Sequence, residues 1–464
     1  MKTKTIIALL TLTLAACAPA QTTPAVNLTE VQNTANAAVW TDVALTQTAT
    51  FTATPLPPTF TPTSTSLPFK ALDGLRVAYI IDGNLYVQDS GKQAIQLTHT
   101  GLDSKPKFTD DGQKIIFERA SESQKRQIYS INSDGNGERA LVTFDLLLTL
   151  DLGYDEITES TSSVIVPGTH QILFGTQQLN FLKLRDTPST PNNDLLLADM
   201  DTGAIKQLLA IGQGGNFLVS PNGKLVAVQA PDKMEVITTQ GQIVYQTPFT
   251  YPEEDIYTVA IPMSWTQDSR ELIVVPPIPT SEIPGNRGFP LLRTIWRYSL
   301  DENSGVEIRL DPPPVGYQGF KISPDGNWMA YSYQLGYPAS MSWDPEKPVG
   351  IYLGNLHDGT SKLLYTPPVN DFAVPSFYRS WSPDSKHFIV EGTPRTYIGN
   401  VHEEMAPLSP GLFVGWIDSN HYLLNRGVLE LVLGEVGRQD LVIVMETPLD
   451  LTIYDPRTYV FIKH

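Results

Sequence analysis

Adjacent carboxylates are the residues of this chain best suited to chemistry: Asp155-Glu156, Glu253-Glu254 and Glu403-Glu404. Two acids facing one substrate bond could serve as proton donor and base, the pairing that glycoside cleavage uses. Side by side in a polar segment, they serve more simply to keep that segment solvated. The seven histidines (His99, His170, His357, His387, His402, His421, His464) fall in no HExxH or comparable metal-ligand spacing. A Gly-x-Ser-x-Gly elbow, the seat of an exposed serine nucleophile, does not occur. Asn132-Ser133-Asp134-Gly135-Asn136-Gly137-Glu138 has the oxygen-rich composition of a calcium loop, but an Asx-Gly turn between strands accounts for the same residues. No metal and no cofactor is expected.

The elements that must position such groups are announced by Ile322-Ser323-Pro324-Asp325-Gly326-Asn327-Trp328-Met329-Ala330-Tyr331. It reads as a strand end, a tight turn and a second strand. Pro324 presets its own φ, Asp325 can cap the turn with its carboxylate, and Gly326 accepts positive φ without a Cβ clash. Variants centre on Asp73-Gly74, Asp111-Gly112, Pro167-Gly168, Asn222-Gly223, Asp268-Ser269, Asp384-Ser385 and Ser419-Asn420. Each precedes a short apolar strand, such as Ile115-Ile116-Phe117 or Leu225-Val226-Ala227-Val228, then two further strands. Four strands per copy at this spacing imply an all-β propeller of four-stranded antiparallel blades, eight by this count with seven as the alternative. The segment 68–74 matches 106–112 position for position, so the first copy reads as whole, and 449–464 is left to add a strand that helps close the ring.

These Ser-Pro-Asp-Gly copies, each followed by an apolar strand and an Ile-Tyr strand, resemble the WD-repeat-like propeller family. That family includes TolB-type periplasmic propellers and the N-terminal propellers of dipeptidyl and prolyl peptidases. The resemblance covers about 68–448. It implies a fold far more than a function, because its residues make turns. The peptidases of that group carry an α/β-hydrolase domain as well, for which this chain has no residues left. Some propellers of this broad type are lyases built on histidine and a metal, and that comparison would implicate His170 and His402. Ser323–Trp328 is also similar to the Asp-box of sialidase propellers, without that motif's second spacing. Trp265, Trp381 and Trp416, each just before a turn, read as packing between blades.

In a four-stranded meander, loops between second and third strands leave by the same face as the links between blades. The long inserts fall in these two classes: 181–193, 276–292, 333–348 and 392–411 in the first, and 145–163, 250–263 and 367–379 in the second. All are expected at one mouth of the channel, where long loops without regular structure commonly carry function. That mouth would hold Asp155, Glu156, Glu253, Glu254, Tyr333, Tyr337, Trp343, Asp344, Arg395, Tyr397 and His402 as candidate ligand-binding residues. Aromatic rings beside carboxylates suit a glycan or a peptide.

Two lysines, a short apolar run and Leu14-Ala15-Ala16-Cys17 open the chain, whose sole cysteine is Cys17. The run is too short to span a bilayer as a stable anchor and reads as an export signal over 1–16. Its end resembles the lipobox of bacterial lipoproteins, which implies cleavage before Cys17 and lipidation of its thiol. Stretch 17–67 is rich in Thr, Ala and Pro and almost uncharged, a composition suited to an extended tether, with helical spacing over 27–46. The 464 residues carry a net charge of -17, which argues against a nucleic-acid partner.

Together these features predict a lipid-anchored, extracytoplasmic propeller at the cell surface or in the periplasm. It would bind an envelope protein, peptide or glycan without chemistry. The competing expectation is a carbohydrate-active hydrolase or lyase that uses the mouth carboxylates.

Overall fold

The computed structural model describes residues 74–121, 125–155, 158–161, 163–179, 189–246, 256–258, 260–279, 292, 294–314, 320–334, 348–366, 379–391, 396–402, 405–408, 411–426, 430–438, 442–446 and 459–463. They lie within one compact unit, Leu67–His464. Cys17, the tether and the helical spacing over 27–46 fall outside the described residues.

The local logic is the turn. In Ser323–Trp328 the Ser323 hydroxyl donates to the Asp325 carboxylate (2.5 Å) and accepts from the Trp328 N–H (2.9 Å). Asp325 in turn accepts from the Asn327 N–H at 3.0 Å, the cap expected of it. Thr109, Ser220, Thr266 and Ser382 repeat the first contact with Asp111, Asn222, Asp268 and Asp384. All five hydroxyl residues are buried. In these five copies the motif satisfies its buried polar atoms internally, while in sheets 3 and 8 Val166 and Ile417 take the first place without a hydroxyl.

Among the described residues the strands form eight four-stranded antiparallel sheets, numbered here in chain order. Sheet 2, for example, contains Asp103–Phe108, Lys114–Ala120, Arg126–Asn132 and Arg139–Val142. Each second strand is a continuous apolar run because both of its faces are buried. Ile115 faces sheet 1 and Ile116 faces sheet 3; likewise Leu173 faces sheet 4 and Phe174 faces sheet 2. Each of eight core clusters joins two consecutive sheets, the last joining sheet 8 (Leu423) to sheet 1 (Val77). First strands approach one another between sheets 1 and 2, 4 and 5, 6 and 7, and 7 and 8.

One detail corrects the sequence reading. Sheet 1 takes its inner strand not from 68–74 but from Tyr459–Lys463, which pairs antiparallel with Leu75–Ile81. The C-terminal segment supplies a strand as anticipated, and it completes the first sheet.

The tryptophans pack between sheets. Trp265 and Trp381 are buried, and each indole N–H donates across to the first strand of the preceding sheet, at Leu218 O (3.0 Å) and Lys321 O (3.1 Å). The link between sheets 2 and 3 holds a short helix, Phe144–Thr149, whose N-cap Thr143 accepts from the Leu146 N–H.

Candidate functional site

Strand alternation sorts the connections into two faces. One carries the turns between first and second strands and between third and fourth strands. These interlock. The Gly168 N–H donates to Asp110 (2.6 Å), Asn222 N–H to Ser269 Oγ (3.0 Å) and Asp325 N–H to Ser385 Oγ (3.0 Å), each bond linking neighbouring sheets. The fit is tight enough that a Cβ on Gly326 would lie 2.6 Å from the Thr266 methyl. Asn132–Glu138 is one of these turns: Asp134 accepts from the Asn136 N–H, and Glu138 is held by Arg119 at 2.7 Å.

A cavity of about 640 Å³ opens on this face between sheets 2 and 3, lined by Asp110, Asp111, His170, Asp199 and Asp201 among others. His170 is 2.9 Å from both Asp111 and Asp201. Burial lowers its basicity, but the two carboxylates outweigh that and raise it. Asp111 is held down to about 2: burial opposes this, while the Thr109 hydroxyl, the Gln113 N–H and His170 favour its charge.

The other face carries the inserts, and two links and two loops fold into two small sheets of their own. Thr158–Ser160 and Thr190–Pro191 flank Thr176–Gln178, and Ile256–Thr258 pairs with Ile278–Pro279. The first of these small sheets is pinned by acids. Glu159, buried, accepts from Gln177 Nε2 (2.6 Å) and the Arg126 N–H (3.0 Å). Asp194, 1% exposed, accepts from the Thr176 N–H (2.7 Å), the Thr176 hydroxyl (2.6 Å) and the Tyr154 phenol (2.8 Å). Burial, and then the Asp194 charge, push the Tyr154 phenol well up. Lys107 reaches the Ser163 carbonyl, and its burial lowers its basicity.

Beside Asp194 lies a cavity of about 380 Å³ between sheets 3 and 4, lined by Thr161, Val164, Gly175, Thr176, Pro191, Asn193, Asp194, Gly215, Asn216 and Phe217. Further round this face, Glu391 accepts from the Phe413 N–H at 2.6 Å. Burial raises its carboxyl to about 7. The carboxylates of Glu159 and Asp194 are thus committed to protein donors, which suits them to holding the site in shape rather than to proton transfer.

The sequence-based candidates divide accordingly. Asp155 is exposed on the insert-bearing face and accepts from the Thr158 hydroxyl (2.9 Å). Tyr333 is half-buried, edge-on to Tyr352 at 6.2 Å. Tyr397 and His402 are not on an insert. The third strand of sheet 7 is Thr396–Asn400, so the reading of 392–411 as one loop fails. Tyr397, 1% exposed, packs in the core against Tyr365, and His402 sits in the following turn, on the opposite face. Glu156, Glu253, Glu254, Tyr337, Trp343, Asp344 and Arg395 lie outside the described residues. The cavity beside Asp194 was missed altogether. Its only sequence signals are the Asn192-Asn193-Asp194 and Gly214-Gly215-Asn216 runs, which read as ordinary turns.

No protein-family model matches the chain, and no curated protein matches it. Among solved structures it is similar to an oligogalacturonate lyase from Vibrio parahaemolyticus, at 14% identity over 70% of this chain and 85% of that one, with a TM-score of 0.45. It is similar also to the dihydro-heme d1 dehydrogenase NirN (14% identity, 86% and 78% covered, TM-score 0.48). A third is TolB from Acinetobacter baumannii (14% identity, 73% and 65% covered, TM-score 0.33).

Proposed function

We propose that the chain is a lipid-anchored, extracytoplasmic propeller that binds an envelope protein, peptide or glycan on its insert-bearing face and performs no chemistry on it. The observation that carries this is the contrast between the two faces. Among the described residues, one is built only of short turns that bond to one another, as Asp325 does to Ser385, and its cavity beside His170 is lined by those turns and the strand ends they join. The other is elaborated into additional sheets with a polar cavity beside them. Elaboration of one rim on a rigid array is how binding surfaces are commonly built. The envelope location and anchor rest on the Leu14-Ala15-Ala16-Cys17 sequence alone; no described helix is long and apolar enough to cross a membrane.

Two experiments test the reading. Labelling cells with a radioactive fatty acid should mark the full chain, and Cys17→Ala should abolish the label and release the protein from the membrane fraction. The detergent-solubilised full chain should bind saturably on glycan or peptide arrays and leave the bound glycan intact. Release of reducing ends or unsaturated sugars would overturn the binding reading in favour of a hydrolase or lyase.

A further inference from the structure

The cavity beside Asp194 has the chemistry of a site for a neutral sugar. Three features of its walls bear on this. First, its polar groups are uncharged apart from one carboxylate. Thr161 and Thr176 contribute hydroxyls, the first shared with the Gly175 backbone and the second with Asp194 and Asn192, and Asn193 and Asn216 contribute amides; none of the described residues lining it is Lys, Arg or His. Asp194 is buried and already accepts three hydrogen bonds, so it acts as a fixed negative charge behind the wall. An anionic ligand would meet that charge at close range with no cation among the described lining residues to offset it, an arrangement that selects against uronates and phosphates.

Second, the remaining wall is apolar and reachable. Val164 is 39% exposed, Pro191 is exposed and Phe217 is half-buried. A pyranose offers both kinds of surface, hydroxyls at its rim and C–H groups on its faces, and so matches hydroxyl and amide donors set opposite apolar side chains. At about 380 Å³ the cavity lies at the small end of ligand sites.

Third, the floor is built by close backbone approach. A Cβ on Gly215 would fall 2.1 Å from the Gln229 carbonyl oxygen, and one on Gly214 would fall 2.6 Å from that of Asp194. Only glycine permits these contacts, which hold the backbone at Gly215, on the cavity wall, and at its neighbour Gly214 close against Gln229 and Asp194. Asn193 holds φ at 50°, a conformation that asparagine tolerates better than most residues, and it lies at the cavity edge.

We infer that this cavity binds one neutral pyranose unit of a glycan, with Asn193 and Asn216 as its hydrogen-bonding groups, the remaining lone pair of the Thr161 oxygen as an acceptor, and Phe217 and Pro191 against its C–H face. This rests on the proposed binding role of the same face and narrows it to a ligand class and a place.

The test uses the detergent-solubilised full chain with methyl glucoside, methyl galactoside, methyl galacturonide and a capped alanine tripeptide, read by saturation-transfer NMR and calorimetry. At least one neutral glycoside should bind saturably, and the uronide should bind at least about tenfold more weakly. Asn216→Trp, at an exposed position, should weaken the neutral sugar by about tenfold or more while leaving the melting temperature unchanged. Should that variant not fold, Val164→Tyr blocks the same cavity from another wall. Equal or tighter uronide binding would overturn the charge argument, and preference for the tripeptide would overturn the ligand class. Neutral sugar binding untouched by either folded variant would overturn the location while leaving the binding role intact. If none of the four compounds binds, the inference falls, and array binding of larger partners still decides the broader reading.

Discussion

The imidazole of His170, in sheet 3, lies 2.9 Å from the carboxylate of Asp111, in sheet 2. Its other nitrogen faces Asp201 at the same distance, and Lys114 of sheet 2 reaches Asp201 at 3.1 Å. A neutral ring has one N–H and can donate to only one of its two acceptors; the imidazolium donates to both. Two sheets are therefore bridged by a group whose charge state changes near neutral pH.

That bridge predicts a pH dependence of stability. Because His170 is more basic folded than unfolded, its contribution is fully present below its ordinary value near 6.5 and is lost as pH rises through the folded value. For Asp111 the sign is reversed: its contribution is present above its ordinary 3.8 and is lost as pH falls toward about 2. The His170 Cε1 proton should titrate above the usual histidine range by NMR. In His170→Gln the decline in melting temperature between pH 6 and 9 should flatten, by an amount on the order of 1 °C. Titration at or below the ordinary value would dismiss the bridge.

The turn hydroxyls predict a local energetic effect. Ser323 is buried, and its Oγ serves Asp325 and the Trp328 N–H at once. Ser323→Ala should lower stability by about 1–3 kcal/mol, because two polar groups lose their partner. Ser323→Thr should retain most of it, since Thr109 and Thr266 fill the same role elsewhere. Urea denaturation midpoints would decide, and equal stability of the alanine and threonine variants would refute the account.

These turns were legible in the sequence because their chemistry is local: hydroxyl, proline, acid and glycine act within six residues. The apolar second strands were legible for a related reason, as Ile115 and Ile116 face opposite cores and so cannot alternate with polar residues. Contacts between distant residues were not. Nothing in the spacing of Asp111, His170 and Asp201 announces that two turns will bring them together. Tyr397 was misplaced because the whole third strand of sheet 7, Thr396–Asn400, was read as part of the loop 392–411, which transfers its side chain from core to loop. The cavity beside Asp194 combines residues from 161 to 217, each unremarkable alone.

Glu391 predicts a second pH effect, of opposite sign to that of Asp111. Burial raises its carboxyl to about 7, so the folded chain holds a proton that the unfolded chain releases. Its charged form therefore costs stability increasingly as pH rises from its ordinary value near 4.5 through about 7. Glu391→Gln keeps an acceptor for the Phe413 N–H and removes that cost. The variant should be more stable than the wild type at pH 8, by roughly 1–3 kcal/mol, and indistinguishable near pH 4. A constant difference across that range would show that titration is not the cause.

The last strand predicts how the array fails. Tyr459–Lys463 is the only partner on one side of Leu75–Ile81 among the described residues, and the Phe461 ring lies where a Cβ on Gly415 would fall 2.7 Å from it. Lys463 also reaches Asp418 of sheet 8 at 2.8 Å. Removing 459–464 would leave Leu75–Ile81 with a row of unpaired backbone groups on a strand otherwise buried on both faces. Such an edge pairs readily with another chain. The truncated protein should melt several degrees lower and elute as dimers and larger species in size-exclusion chromatography. Adding the excised segment as a free peptide should partly restore the elution position of the intact chain. Lys463→Ala, which keeps the strand and removes only an exposed ion pair, should change stability by less than about 1 kcal/mol and leave the elution unaltered. If the point variant aggregates as the truncation does, the ion pair rather than the strand holds the two ends together.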